Sequence, residues 1–437
     1  MSDEVMENAI IYEANIRQYS KEGTFEQFTK DIPQLKQLGV KIIWLMPIHP
    51  ISEAKRKATG GKFVSELPEE EQKKYLGSYY AVSDYTKINP EFGTIEDFRK
   101  LVKTAHDNNM YVILDWVPNH TGWDHTWIQT NPEFYTKNAK GEITDPLNED
   151  GTPIGWEDVA DLNYDNKELR KAMIKDMSYW IDNEEIDGFR CDVAGYVPTD
   201  FWQQAIPQLR AKKDIFLLAE AWEPELLKNG LFDMAYGWDR HHTLNHIAKE
   251  GKKAKAWDDN FEADKARYEA DDILMTFITN HDENSWNGTI QERMGAAWEV
   301  MTALSYVAPG MPLIYSGQEY GLNYRLKFFE KDEIPHAKGK EWEVLEKLGK
   351  LKTNNKALNG GKNAASYERL ETDESTLAFI RKKGEDEVLF IANLTKEPIK
   401  ITAPIQGAFT DYMNNTKFVL GSDAITLNPW EYKILLK

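Results

Sequence analysis

Ile186-Asp187-Gly188-Phe189-Arg190-Cys191-Asp192 and Asp214-Ile215-Phe216-Leu217-Leu218-Ala219-Glu220 decide how this chain folds. Each is a short apolar run that ends on a carboxylate. About one helix of sequence lies between them, so they read as adjacent parallel strands joined by a crossover. Both acids then stand at the C-terminal ends of their strands, on one rim. Outward from this pair, β-rich runs alternate with helical periodicity from about residue 10 to 357. Strands are predicted over 9–15, 42–46, 111–115, 186–192, 215–220, 232–236, 274–279 and 312–315. Helices are predicted over 24–38, 94–109, 167–183, 199–211, 240–250, 292–307 and 341–353. Eight such strands with helices outside can close on themselves, so the predicted fold is α/β, a (β/α)8 TIM barrel. The alternative is an open doubly wound sheet, and the chain has no Gly-rich phosphate loop to support it.

Two connections are too long for plain barrel loops. One runs from 47 to 84, with Gly60-Gly61 and a charged stretch at 68–74. The other runs from 119 to 166 and holds Trp123, Trp127 and Trp156. It reads as a small subdomain inserted after the third strand. Past residue 357 the pattern changes to short strands with Gly, Asn and Pro turns, at 376–382, 387–393, 399–403, 409–413 and 431–436. This is the signature of a C-terminal antiparallel β-sandwich. The expected division is a barrel over 1–118 and 167–357, the insertion over 119–166 and the sandwich over 358–437.

The chain has 437 residues, 41% hydrophobic, which is ordinary for a globular protein. Its formal charge of −19 argues against nucleic acid and anionic membrane as partners. No apolar run approaches the ~20 residues of a membrane span. The start, Met1-Ser2-Asp3-Glu4-Val5-Met6-Glu7, is acidic and lacks a signal-type apolar stretch. A cytoplasmic chain and a trimmed secreted or periplasmic one both fit that start. A monomer is expected. Cys191 is the single cysteine, so no intrachain disulfide forms, and its strand position reads as core packing. Six of the 14 tryptophans (Trp116, Trp123, Trp127, Trp156, Trp222 and Trp286) fall on predicted post-strand loops, where ring stacking on sugars competes with core packing as the explanation.

Four blocks sit at predicted strand ends: Asp115-Trp116-Val117-Pro118-Asn119-His120-Thr121, Gly188-Phe189-Arg190-Cys191-Asp192-Val193-Ala194, Ala219-Glu220-Ala221-Trp222 and Thr279-Asn280-His281-Asp282-Glu283. Paired carboxyls on one rim suit glycosidic bond cleavage, in which one attacks the anomeric carbon and the other protonates the leaving oxygen. Arg190, two residues before Asp192, points to the same strand face and is expected to keep Asp192 ionised. Glu220 is expected to be pushed toward its protonated form by Asp192 and Asp282 as like charges. Asp115 is expected to orient the loop and pair with Arg190.

In order and spacing the four blocks resemble the signature regions of the α-amylase family of glycoside hydrolases, and the resemblance spans the whole chain. It implies Asp192 as nucleophile, Glu220 as general acid/base and Asp282 as a third acid that binds sugar hydroxyls. It implies His120, His281 and Arg190 around the same sugar, with Tyr80, four residues before Asp84, stacked on its ring. It implies a calcium ion held by Asn119 and Asp161, oxygen ligands of the kind Ca²⁺ prefers. Where many relatives carry Lys-His after the nucleophile, this chain has Gly195-Tyr196. Val193 is shared with some α-1,6-specific relatives. The resemblance implies retaining endo-hydrolysis of α-1,4 bonds in starch-like glucans and maltooligosaccharides. The alternatives are an exo-acting α-glucosidase, an oligo-1,6-glucosidase, a transglycosylase, or a non-catalytic glucan-binding relative. Three acids in place speak against the last.

Overall fold

The computed structural model describes residues 3–437; Met1 and Ser2, where the reading of the N-terminus begins, lie outside them. Eight parallel strands close into a barrel. They are β1 (Ile11–Ala14), β2 (Ile42–Leu45), β3 (Tyr111–Trp116), β4 (Gly188–Cys191), β5 (Phe216–Ala219), β6 (Met234–Tyr236), β7 (Leu274–Thr276) and β8 (Met311–Tyr315). Each predicted strand is present. Most are shorter than predicted at the C-terminal end, because the residues carrying the chemistry lie just past the last ladder bond.

Strand alternation sorts the side chains. Ile11, Ile42, Trp44, Ile113, Phe216, Leu218, Met234, Met275 and Leu313 fill the barrel interior, while their strand neighbours pack outward on helices. The same parity carries Glu13, Asp115, Arg190 and Glu220 inward, at or just above the top of this apolar plug. Gly188 is required by its place. A Cβ there would lie 1.8 Å from the carbonyl oxygen of Phe216, and its φ of +152° is one that L side chains rarely adopt.

The outer helices follow their sequence signals. Phe25–Leu35 is capped by Thr24, whose side chain accepts from Gln27, and buries Phe25, Phe28, Ile32 and Leu35 on one stripe. Ile95–Asp107 carries a Thr94/Asp97 capping box and buries Phe98, Leu101, Val102 and Ala105. The sequence reading missed Lys253–Arg267, which buries only Ala254, Trp257 and Asn260 and so lacks an apolar stripe. Between β5 and β6 the chain makes the short turn Pro224–Leu227. No helix among the described residues is long and apolar enough to cross a membrane.

After β3, His120–Gly122 pairs antiparallel with Val159–Asp161, a ribbon that roots the inserted segment on the barrel. The C-terminal domain is an antiparallel sheet of six strands with a two-stranded ribbon, Ile399–Ile401 against Ile425–Leu427. Its second strand, Thr376–Lys383, alternates: Leu377 and Phe379 join the main core, while Ala378 and Ile380 join a second core under the ribbon. The reading missed the strands Ser366–Arg369, Thr416–Leu420 and Ile425–Leu427, which are short and bury at most one residue each.

Candidate active site

A cavity of about 330 Å³ opens at the C-terminal rim of the barrel, and Tyr80, His120, Asp192, Glu220, His281 and Asp282 all line it. Arg190 lies beneath, fully buried, and its guanidinium organises the floor. Nη1 donates to Asp115 at 3.0 Å and to Asp192 at 2.9 Å, and Nη2 donates to Glu220 at 2.6 Å. Nε donates to the Tyr236 hydroxyl at 3.0 Å, and the plane lies 4.8 Å from the Trp44 ring centroid. One planar cation thus holds two rim carboxyls side by side and a third below them.

Val193 completes the hold on Glu220. Its N–H donates to Glu220 at 2.9 Å, and its φ is +37°. A β-branched residue in the left-handed region is an outlier that costs about 1–3 kcal/mol. The strained residue is the one whose N–H reaches Glu220.

His281 is built in from the opposite side. Its Nδ1 meets Glu13 at 2.5 Å, and its Nε2 lies 2.9 Å from the Tyr80 hydroxyl and 3.4 Å from Asp282. Tyr80 stacks on the imidazole with centroids 5.2 Å apart and donates to Asp115 at 2.7 Å. Glu13 was not singled out in the sequence, although a lone acid inside the apolar strand Ile11–Ala14 was a signal for it.

The electrostatics depart from expectation in one respect. Glu220 lies above its ordinary range, but burial is the larger cause and Asp192 the lesser, with Arg190 pulling the other way. Burial likewise raises Asp192 and Asp282, against Arg190 for the first and His281 for the second. Asp115 is pushed up to about 7 by burial. Asp115, Asp192, Glu220, Asp282 and Glu13 thus face one guanidinium and one imidazole, an arrangement suited to keeping a proton on a carboxyl near neutral pH, with Asp282 at the open side, its side chain 45% exposed. Burial opposes the charge on His281, but Asp282 and Glu13 outweigh it and hold the ring up to about 10. Burial drives His120 down to about 3, so it is neutral.

The His281–Glu13 pair therefore carries a pH signature. A histidine raised from about 6.5 to about 10 contributes stability that is fully present below pH ~6.5 and is lost as pH rises through ~10. Glu13→Gln should cost about 3–5 kcal/mol by stranding a buried charge, and should flatten this alkaline loss. Melting curves of parent and variant between pH 6 and 10 check both. An unchanged slope would show that the pair is not coupled to folding.

The tryptophans divide. Trp116 is fully buried core, so its reading as a loop residue is corrected. Trp127 packs on Tyr85 and Phe134, and Trp123 lies under Lys55. Trp156 lines the cavity, as does Trp286, while Trp222 is 41% exposed two residues beyond Glu220. Cys191 is buried, as expected of a core residue. At Gly195 a Cβ would meet a Glu223 carboxylate oxygen at 2.5 Å, and that exposed side chain would have to turn aside. Asn119 and Asp161 line a second cavity of about 590 Å³, next to the first, together with Gly195 and Tyr196.

Comparison with known proteins agrees with this layout. Residues 10–145 and 153–386 match the family described as alpha amylase, catalytic domain, and residues 367–434 match maltogenic amylase, C-terminal domain. Alpha-amylase 3 of Dictyoglomus thermophilum is 24% identical over 462 residues, covering 89% of this chain and 85% of its own. Alpha-amylase MalA of Haloarcula japonica is 24% identical over 423 residues, covering 93% of this chain, and the chain spans 58% of that protein's length. Among solved structures, the noncanonic maltogenic alpha-amylase AmyB of Thermotoga neapolitana superposes with a TM-score of 0.84 at 28% identity, covering 98% of each chain. An alpha-amylase from Lactobacillus plantarum gives 0.84 at 26%, covering 100% of each.

Proposed function

The chain belongs to the α-amylase family of glycoside hydrolases, and from that premise we propose that it cleaves α-1,4-glucosidic bonds of starch-like glucans and maltooligosaccharides with retention. The observation that carries this reading is the shared guanidinium, which holds Asp192 and Glu220 as neighbours on the cavity floor. Retaining enzymes need their two carboxyls roughly 5–5.5 Å apart, whereas inverting ones leave room for a water between them.

In the proposed cycle the Asp192 carboxylate attacks the anomeric carbon while Glu220 gives its proton to the departing glycosidic oxygen. That yields a glycosyl–Asp192 ester and a free sugar end. Glu220, now ionised, takes a proton from water as the water oxygen attacks the same carbon, and the ester bond breaks. Burial supports Glu220 in its protonated starting form, and Val193 N–H and Arg190 stabilise it once ionised. His281, Asp282 and His120 face the same sugar and supply hydrogen bonds to its hydroxyls. Tyr80, stacked on His281, supplies a ring face for it. Following anomers by proton NMR during maltoheptaose digestion tests the reading: α-anomer appearing first supports it, and β-anomer first overturns it.

Calcium at Asn119 and Asp161 is part of the proposal. Burial pushes Asp161 up to about 6, with Asp145 adding to it, and no ion pair to Asp161 occurs among the described residues. A half-buried carboxyl that accepts from the Thr136 hydroxyl at 2.6 Å, with a second acid nearby and no cation, suits an oxygen-liganded metal. Such an ion would tie the insertion to the barrel rim and take no part in bond cleavage. Metal analysis of the purified protein tests it.

A further inference from the structure

Glu220 ends β5. In a ring of eight strands, β1 lies diametrically across from β5, and the loops after β8 and β2 flank that far side. The proton from Glu220 goes to the departing sugar, so the leaving group lies on the β5 side. The remainder of the donor chain, toward its non-reducing end, therefore runs toward the loops after β8 and β2.

That side is walled. The long loop after β2 is fastened at both ends of its path. Lys57 Nζ donates to the carbonyl of Gly155 in the insertion at 3.1 Å and lies 3.7 Å from Glu157. Thr59 donates to the Glu330 carboxylate at 2.9 Å, and Leu76 N–H donates to the Phe329 carbonyl at 2.7 Å, both in the loop after β8. Arg17, fully buried, braces the junction from below: it donates to the carbonyls of Gly77 at 3.0 Å and Phe328 at 3.3 Å and pairs with Glu91 at 2.8 Å. Insertion, β2 loop and β8 loop thus form one continuous rim. Lys57, Phe328 and Phe329 face the same cavity as Asp192. The wall is assembled from three separated segments, so no one stretch of sequence announces it.

We propose that this wall, with Lys57 at its centre, makes the site select the non-reducing end of a glucan, so that one or two sugar units are released per cut rather than internal fragments. This rests on the retaining α-glucan reading above. A cavity of about 330 Å³ lies at the lower end of small-ligand sites, and Lys57, Phe328 and Phe329 line it on the walled side. A chain end also differs chemically from an interior unit. It carries a free 4-hydroxyl, a partner for the Lys57 ammonium that an interior sugar does not have.

The test compares maltoheptaose fluorescently labelled at its reducing end with the same molecule capped by a 4,6-O-ethylidene group at its non-reducing end. The uncapped substrate should give labelled products shortened by one or two units at first. Capping should lower kcat/KM by about ten-fold or more, the scale on which a pocket rejects a misfitting group. Lys57→Ala combined with Glu330→Ala should return the capped-to-uncapped ratio toward unity, with a melting curve as the control for folding. Equal cleavage of both substrates by the parent protein, with internal products, overturns the wall and leaves the hydrolase reading standing. Cleavage of neither overturns the reading on which the wall rests. A capping penalty that survives in a folded double variant removes the assignment to this loop.

Discussion

Asp192→Asn is expected to fold like its parent and to lose turnover by about 10³-fold or more, since loss of a covalent nucleophile adds several kcal/mol to the barrier. The amide retains an oxygen to accept from Arg190 Nη1, and Arg190 keeps Asp115 and Glu220 as partners. Folding should not suffer. Burial already raises Asp115, Asp192, Glu220 and Asp282 together, so deleting one negative charge relieves repulsion. The melting temperature should hold or rise. Because Asp192 helps raise Glu220, the variant should also lower the apparent pKa of that carboxyl. Initial rates on maltoheptaose beside a melting curve decide the matter. Substantial activity in a well-folded sample free of parent enzyme would remove Asp192 from the nucleophile's role.

Glu220→Gln should fail selectively. A natural glucan leaves as a poor alkoxide and needs the proton, while a nitrophenolate leaves with little help. The glycosylation step should therefore suffer far less on an aryl maltoside than on starch. Pre-steady-state bursts on both substrates separate this step from the later hydrolysis, which also needs Glu220 as base. The parent's kcat/KM should fall as pH rises through the raised pKa of Glu220, and that limb should vanish in the variant. The amide keeps an acceptor for Val193 N–H or for Arg190, but not both as strongly. A stability cost of about 1–3 kcal/mol follows from the weakened partner. Equal loss of the first step on the two substrates would show that Glu220 is not the acid.

The two strand ends at Asp192 and Glu220 were legible because parallel strands in a barrel announce themselves locally. A short apolar run, a helix-length gap and another apolar run leave little choice of topology. The period of two along a strand then puts Arg190 and Asp192 on one face without knowledge of any contact. The inserted segment and the change to short strands past residue 357 were visible for the same reason, since each is a change in local pattern. The misses are local failures of that signal. Lys253–Arg267 buries only a few side chains, and Ser366–Arg369 is largely exposed, so neither carries a clear apolar period.

The electrostatics of the site belonged to the tertiary structure. From sequence, Glu220 was raised by like charges. In the folded chain burial does more than Asp192, because the barrel plug of Trp44, Leu218 and Tyr236 dries the floor under it. Glu13 and His281 are 268 residues apart in sequence, and only closure of β1 beside β8, two strands from β7, sets one against the other. The left-handed turn at Val193 that aims an N–H at Glu220 has no signature in a residue type that normally avoids it. The wall opposite Glu220 is the clearest case. Lys57, Gly155 and Glu330 come from three loops whose sequences say nothing of one another. Short-range pattern determined which strands and helices form and which residues sit at their ends. Contacts between distant loops, and the water those contacts exclude, decided how the acids are charged and which part of a glucan has room to enter.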